Sequence, residues 1–173
     1  MYRVINIFVC LVLIFSLSVA LVLKAEARGT ATPTPVVIAA ADIEAQIFQA
    51  INQVREQNHL SPLLLAKDLG VVARFHSKDM AARDYFSHVS PEGDNMQKRI
   101  ERAGITNWNR LAENLASNFG HADPVSVALK GWLESPHHLQ NILDKNVTET
   151  GIGVAVDAKG RVYLTQLFVK RKN

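Results

Sequence analysis

Any chemistry in this chain rests on histidines and carboxylates, because its single cysteine, Cys10, lies in an apolar N-terminal run. Six histidines are present. His59 falls in a turn and His121 in a loop, and both are expected to be solvated. His76 shares an apolar helical face with Leu69, Val72, Ala73 and Met80, which favours a hydrogen-bonded core histidine over a ligand. His88 stands apart. It follows two aromatic residues in "DYFSHVSPEG" and precedes turn formers able to present it. Glu113 is set in "LAENLA", a carboxylate within an apolar stretch. Burying it is costly unless it is paired or hydrogen-bonded; a loop glutamate facing water is the alternative. The third feature is "GWLESPHHLQNIL", Gly131 to Leu143. Trp132 and Leu133 are expected to pack inward, and Glu134 can bind the backbone of the next turn. His137 and His138 project about 100° apart on any helix, so at most one joins a given site. Neither the H-E-x-x-H spacing of zinc proteases nor a G-x-S-x-G elbow occurs, so the catalytic residues stay unknown.

The elements that must position these side chains are legible in outline. Ile43, Ile47, Ile51 and Val54 recur at helical spacing behind Asp42, a suitable N-cap, and Pro62 resists continuation. A second helix is predicted over about 66–85, and "SHVSPEGDN" is a loop. A short helix follows, with Met96, Ile100 and Ala103 inward and Gly104 as its stop. "LAENLA" is too short to assign by period. Asp123 with Pro124 opens another helix, which Ser135-Pro136 breaks or restarts. "TGIGVAVD" and "RVYLTQLFV" are β-branched and alternating, and read as an antiparallel hairpin. Helices first and strands last argue an α+β fold, with helices packed on an antiparallel sheet.

The chain's 173 residues suit one domain plus a short extra segment. With 48% hydrophobic residues it can form a packed core, and without domain cysteines it has neither disulfides nor Cys-based zinc. A formal charge of +3 and no basic stripe interleaved with aromatics exclude nucleic acid as a partner. Lys170, Arg171 and Lys172 read as a solvated tail. Residues 4–23 are apolar almost throughout, long enough to span a bilayer, and are followed by an A-x-A pattern at Ala25–Ala27. Residues 1–27 are therefore a signal peptide or a membrane anchor, 28–41 a proline-containing linker, and 42–170 the domain. Either reading places the domain outside the cytoplasm, secreted or anchored. Asn146-Val147-Thr148 fits a glycosylation sequon that is treated as chance.

"HSKDMAARDYFSHVSPEG", "LAENLA", "GWLESPHHLQNIL" and "TGIGVAVDAKGRVYLTQLF" occur in that order. Together they resemble the CAP superfamily, the SCP-like extracellular domain of cysteine-rich secretory, antigen 5 and pathogenesis-related proteins, in its bacterial, disulfide-free form. The resemblance covers about Ile43 to Phe168. It implies an α-β-α sandwich, a small antiparallel sheet between helical layers, around a cavity lined by two histidines and two acids. His88 matches the first histidine, Glu113 the first acid and His138, within S-P-x-H, the second histidine. The second acid departs from the pattern: Ser135 stands at the family's place and Glu134 one residue before it. The resemblance implies a divalent metal such as zinc on His88 and His138, and a lipid, sterol, glycan or envelope protein as partner. Three functions follow as expectations: an extracytoplasmic ligand-binding or interaction module, a metal-assisted hydrolase of an envelope component or peptide, or a polar network that only serves the fold.

Overall fold

The computed structural model describes residues 39–172. The signal or anchor at 1–27 and the linker as far as 38 lie outside the described residues. Five helices and four strands follow in the order α1 (Ala40–Gln57), β1 (Leu64–Leu65), α2 (Lys67–Arg83), α3 (Met96–Arg102), β2 (Trp108–Asn118), α4 (Pro124–Glu134), α5 (Pro136–Ile142), β3 (Glu149–Val156) and β4 (Val162–Arg171). The sheet order is β1-β3-β4-β2, with β3–β4 and β2–β4 antiparallel and the two-residue β1 parallel to β3.

β4 organises the layers, because both of its faces are buried. Val162, Leu164 and Phe168 join Ile152 and Val154 of β3 in a core with Ile43, Ile47 and Ile51 of α1 and Val125, Ala128 and Trp132 of α4. The alternate residues Leu167 and Val169 face Leu69, Val72 and Ala73 of α2, with Ile100 of α3. A strand buried on both sides between helical layers is the α-β-α sandwich, and the period-two alternation of "VYLTQLFV" assigns each side chain to its layer. The glycines of "TGIGV" permit the closeness. A Cβ at Gly153 would lie 2.0 Å from the Arg74 backbone nitrogen, and one at Gly151 would lie 2.4 Å from Leu69 and Gly70. Ser77 seals the contact, donating to the Gly153 carbonyl at 2.9 Å and sharing a hydrogen bond with Thr165 at 2.8 Å.

Several local expectations are corrected. α1 begins two residues before Asp42, so Asp42 sits in the first turn rather than capping it, where its charge still favours the helix N-terminus. Ala103 faces solvent, and the second buried position of α3 belongs to Arg99 beside Ile100. "LAENLA" is the middle of the long edge strand β2. Arg171 is no solvated tail: it lies in β4, donates to Glu149 at 3.0 Å and pairs with Asp68 at 2.8 Å. Asp123 does cap α4, accepting from the Ser126 amide at 3.0 Å with Pro124 in the first turn.

Candidate functional site

Three elements converge on Glu113. β2 carries it, α3 delivers Arg99, and the loop after α2 brings His88. Glu113 is buried in a strand whose side chains alternate between layers, so its carboxylate must find partners locally. One oxygen meets His88 Nδ1 at 2.7 Å, and the other accepts from Arg99 Nη2 at 2.5 Å. Arg99 also donates Nη1 to the carbonyls of His88 and Asp94, both at 3.0 Å. One guanidinium thus neutralises the buried carboxylate and fixes the turn that carries His88. Behind that turn, His76 is buried in α2 with Nε2 3.0 Å from the Ser87 carbonyl. Burial, and then the nearby charge of Arg99, hold its pKa below the ordinary histidine value. A neutral His76 therefore donates through Nε2, while Nδ1 stays buried without a partner.

His88 itself is accessible, with 55% of its side chain exposed. Together with Glu113, Val89, Asn95, Met96 and Gln97 it lines a hollow of about 370 Å³. Its Nδ1 is committed to the carboxylate, and no protein group among the described residues bonds Nε2. This is the base-and-orienter half of a triad without a protein nucleophile against it.

The second arm is built differently. The first turn of α5 carries His138 alongside β2. Asn114 Nδ2 donates to the His138 carbonyl at 3.1 Å, and Asn141 Nδ2 donates to the Glu113 carbonyl at 3.3 Å and to Asn114 Oδ1 at 2.9 Å. Arg55, buried in α1, clasps the end of α5 by donating to the carbonyls of Ile142 at 2.7 Å and Asp144 at 3.0 Å. Trp132 Nε1 joins α4 to β2 through the Leu115 carbonyl at 2.8 Å. His138 Nδ1 is buried with no partner. Burial, followed by the charges of His88 and His137, pushes the pKa of His138 down, so its ring is neutral at pH 7.

Of the four residues expected around the cavity, His88 and Glu113 are therefore in direct contact. His138 stands within electrostatic reach of His88 but does not line the His88 hollow. Glu134 is elsewhere: it ends α4 68% exposed, 3.8 Å from Lys130 one turn earlier. The one-residue offset from Ser135 turns its side chain about 100° away. Arg99, Asn114 and Asn141 complete the network and were not anticipated. The one sequence hint was Asn114, an amide beside Glu113 between the Leu-Ala pairs of "LAENLA", and the structure buries it fully.

The donors as placed do not fit a protein-held zinc ion. Among the described residues no group of three or more His, Cys, Asp or Glu side chains comes together, and both Glu113 oxygens are taken. Zinc sites use at least three protein ligands, and His88 and His138 supply two.

The profile described as "CAP: Cysteine-rich secretory protein family" matches residues 48–168. The uncharacterized membrane protein YlbC of Bacillus subtilis (strain 168) is 34% identical over 128 residues, covering 74% of this chain and 34% of that protein. The crystal structure of an extracellular protein containing a SCP domain from Bacillus anthracis str. Ames is 34% identical, with a TM-score of 0.65, covering 76% of this chain and 41% of that one. An outer surface protein of Borrelia burgdorferi, 21% identical, shares the fold with a TM-score of 0.70 over 78% of this chain and 97% of its own. The chain spans between a third and about two fifths of the two Bacillus relatives.

Proposed function

This chain belongs to the cysteine-rich secretory protein (CAP) family, and on that premise we propose that it is an extracytoplasmic binding module whose His88 hollow and His138 recognise an envelope ligand. The location is supported by the N-terminal apolar run and by the names of the relatives, one called a membrane protein and one extracellular. Among the described residues no helix is long and apolar enough to cross a membrane.

The observation that carries the reading is the contrast between committed and open nitrogens. Glu113 and Arg99 fix one edge of His88, while its Nε2, on a side chain that is 55% exposed, has no protein partner among the described residues. Nδ1–H of His88 donates to the Glu113 carboxylate, which holds the ring so that Nε2 meets a polar group of a ligand at little ordering cost. That suits a polar group of a lipid, sterol, glycan or protein. The test is mass spectrometry of molecules co-purified with the full chain and with His88→Ala. A molecule present in the first and absent from the second supports binding at the hollow; identical contents argue against it. Zinc titration by calorimetry checks the metal separately. Binding at neutral pH that vanishes in both His88→Ala and His138→Ala would restore a metal role.

A hydrolase is the second reading, favoured by the His88–Glu113 pair. An imidazole oriented by a carboxylate can take a proton from a bound water, with Glu113 stabilising the resulting imidazolium. Turnover of envelope extracts that falls at least tenfold in Glu113→Gln, with the fold retained, is the outcome that establishes it.

A further inference from the structure

The inner face of α2 is locked against the sheet, but its outer face carries apolar side chains that no other described residue covers. Val71 is 61% and Phe75 70% exposed, and Leu64 and Leu65 of the adjoining β1 are also open. They form one surface, because Leu65 and Val71 share a hollow of about 390 Å³ and Val71 and Phe75 share the next, of about 540 Å³. Lys67, Val71, Phe75 and Lys78, spaced four, four and three residues apart, lie along one side of the helix. The charges around them are unequal in availability. Arg74 is engaged by Glu44, Asp68 by Arg171, and Asp79 by Arg83 and Tyr85. Lys67 and Lys78 have no ion-pair partner among the described residues. The net charge left along the apolar stripe is therefore positive.

We propose that this outer face of α2, with β1, docks on an anionic phospholipid bilayer. Apolar side chains flanked by free lysines suit a bilayer surface, since the stems lie along the apolar boundary while the ammonium groups reach the phosphates. The path of the chain favours the same occupant. Ala41 and Ala45, at the start of α1, line the hollow that also holds Leu65 and Val71, so the N-terminal segment joins the domain beside this face. Residues 24–39 connect it to the apolar run at 4–23 and span at most about 55 Å when extended. A bilayer that receives the apolar run is within reach of the face, and a short tether raises its local concentration there. The proposal uses neither His88 nor His138, so it stands or falls independently of the binding-module reading.

The test uses the full chain reconstituted in phosphatidylglycerol–phosphatidylcholine vesicles with brominated acyl chains. Tryptophan is introduced as Phe75→Trp or, as a control, Phe119→Trp, an exposed apolar position beside Arg161 that lines neither hollow. Both sites are solvent-exposed, so the fold tolerates either change. Measured as the increment over the parent chain, which already holds Trp108 and Trp132, the Phe75→Trp emission is expected to be quenched and the Phe119→Trp emission spared, with loss of the difference in Lys67→Glu combined with Lys78→Glu and in vesicles of phosphatidylcholine alone. Equal quenching at both positions, or quenching that survives charge reversal, overturns the proposal. Shielding of position 75 that follows protein density instead of lipid charge would assign the face to a second copy and overturn it equally.

Discussion

The two arms of the site obey different rules. On the His88 arm the buried charge is spoken for, Glu113 by His88 and Arg99, and the turn carbonyls by Arg99 and His76, although His76 Nδ1 and Arg99 Nε stay buried without a partner. On the His138 arm the backbone is tightly held by Asn114 and Arg55, yet the ring keeps an unpartnered nitrogen and Glu134 faces water. The first arm spends its side-chain interactions on a buried carboxylate and the turn around it, and the second spends them on the backbone beside the His138 ring. Ligand specificity is thus expected to depend on His138 and the free edge of His88, and stability on Glu113 and Arg99.

The sharpest way to break this contrast is Arg99→Met. It leaves the Glu113 carboxylate buried without its cation, and a loss of about 3–5 kcal/mol is expected in denaturant unfolding. A loss below 1 kcal/mol would mean the carboxylate is neutral or hydrated, and the two arms would no longer differ in kind. Next is Asn114→Ala, which removes the side-chain donor to the His138 carbonyl and one of the two acceptors of the Asn141 amide. About 1–3 kcal/mol is expected, with the same measurement deciding. A pH series sharpens the comparison further. His76 titrates below its ordinary value when folded and near 6.5 when unfolded, so the unfolded chain takes up the proton first as pH falls. Stability is full above about pH 6.5 and declines toward the lowered folded pKa at no more than about 1.4 kcal/mol per pH unit for that one proton. His76→Gln should flatten the slope; an unchanged slope would move the acid sensitivity to another group, with His138 the next candidate by the same sign. The smallest effect belongs to Glu134→Gln, whose exposed partner is a screened surface lysine. Its stability should stay within about 0.5 kcal/mol of the parent, with ligand retention unaltered.

Much of the fold could be read ahead because it follows period and punctuation. The isoleucines of α1, the Asp123-Pro124 start of α4 and the alternating hairpin each carry their own local signal. β2 carried none strong enough: its centre reads as six residues of mixed polarity, and only pairing with β4 over its whole length makes it a strand. The site divides the same way. His88 and Glu113 announced themselves by odd neighbours, and the structure sets them 2.7 Å apart. Arg99 did not, because an arginine within "MQKRIER" looks like one more surface cation. Its burial is a consequence of Glu113 lying across a gap of fourteen residues, which no local pattern encodes. Glu134 failed for the opposite reason: chemistry suited the cavity, but helical phase did not.

The amides along β2 have a consequence beyond the site. β2 is a long edge strand, and such an edge is a template on which a foreign strand can pair. Asn141 occupies the Glu113 carbonyl and Trp132 the Leu115 carbonyl, while Asn118 reaches back to the Pro124 carbonyl. α4 and α5 thereby act as a cover over the open side of the sheet. Partial detachment of that cover would open β2 to strand-to-strand growth, so the side chains that tie α4 and α5 to β2 also guard solubility.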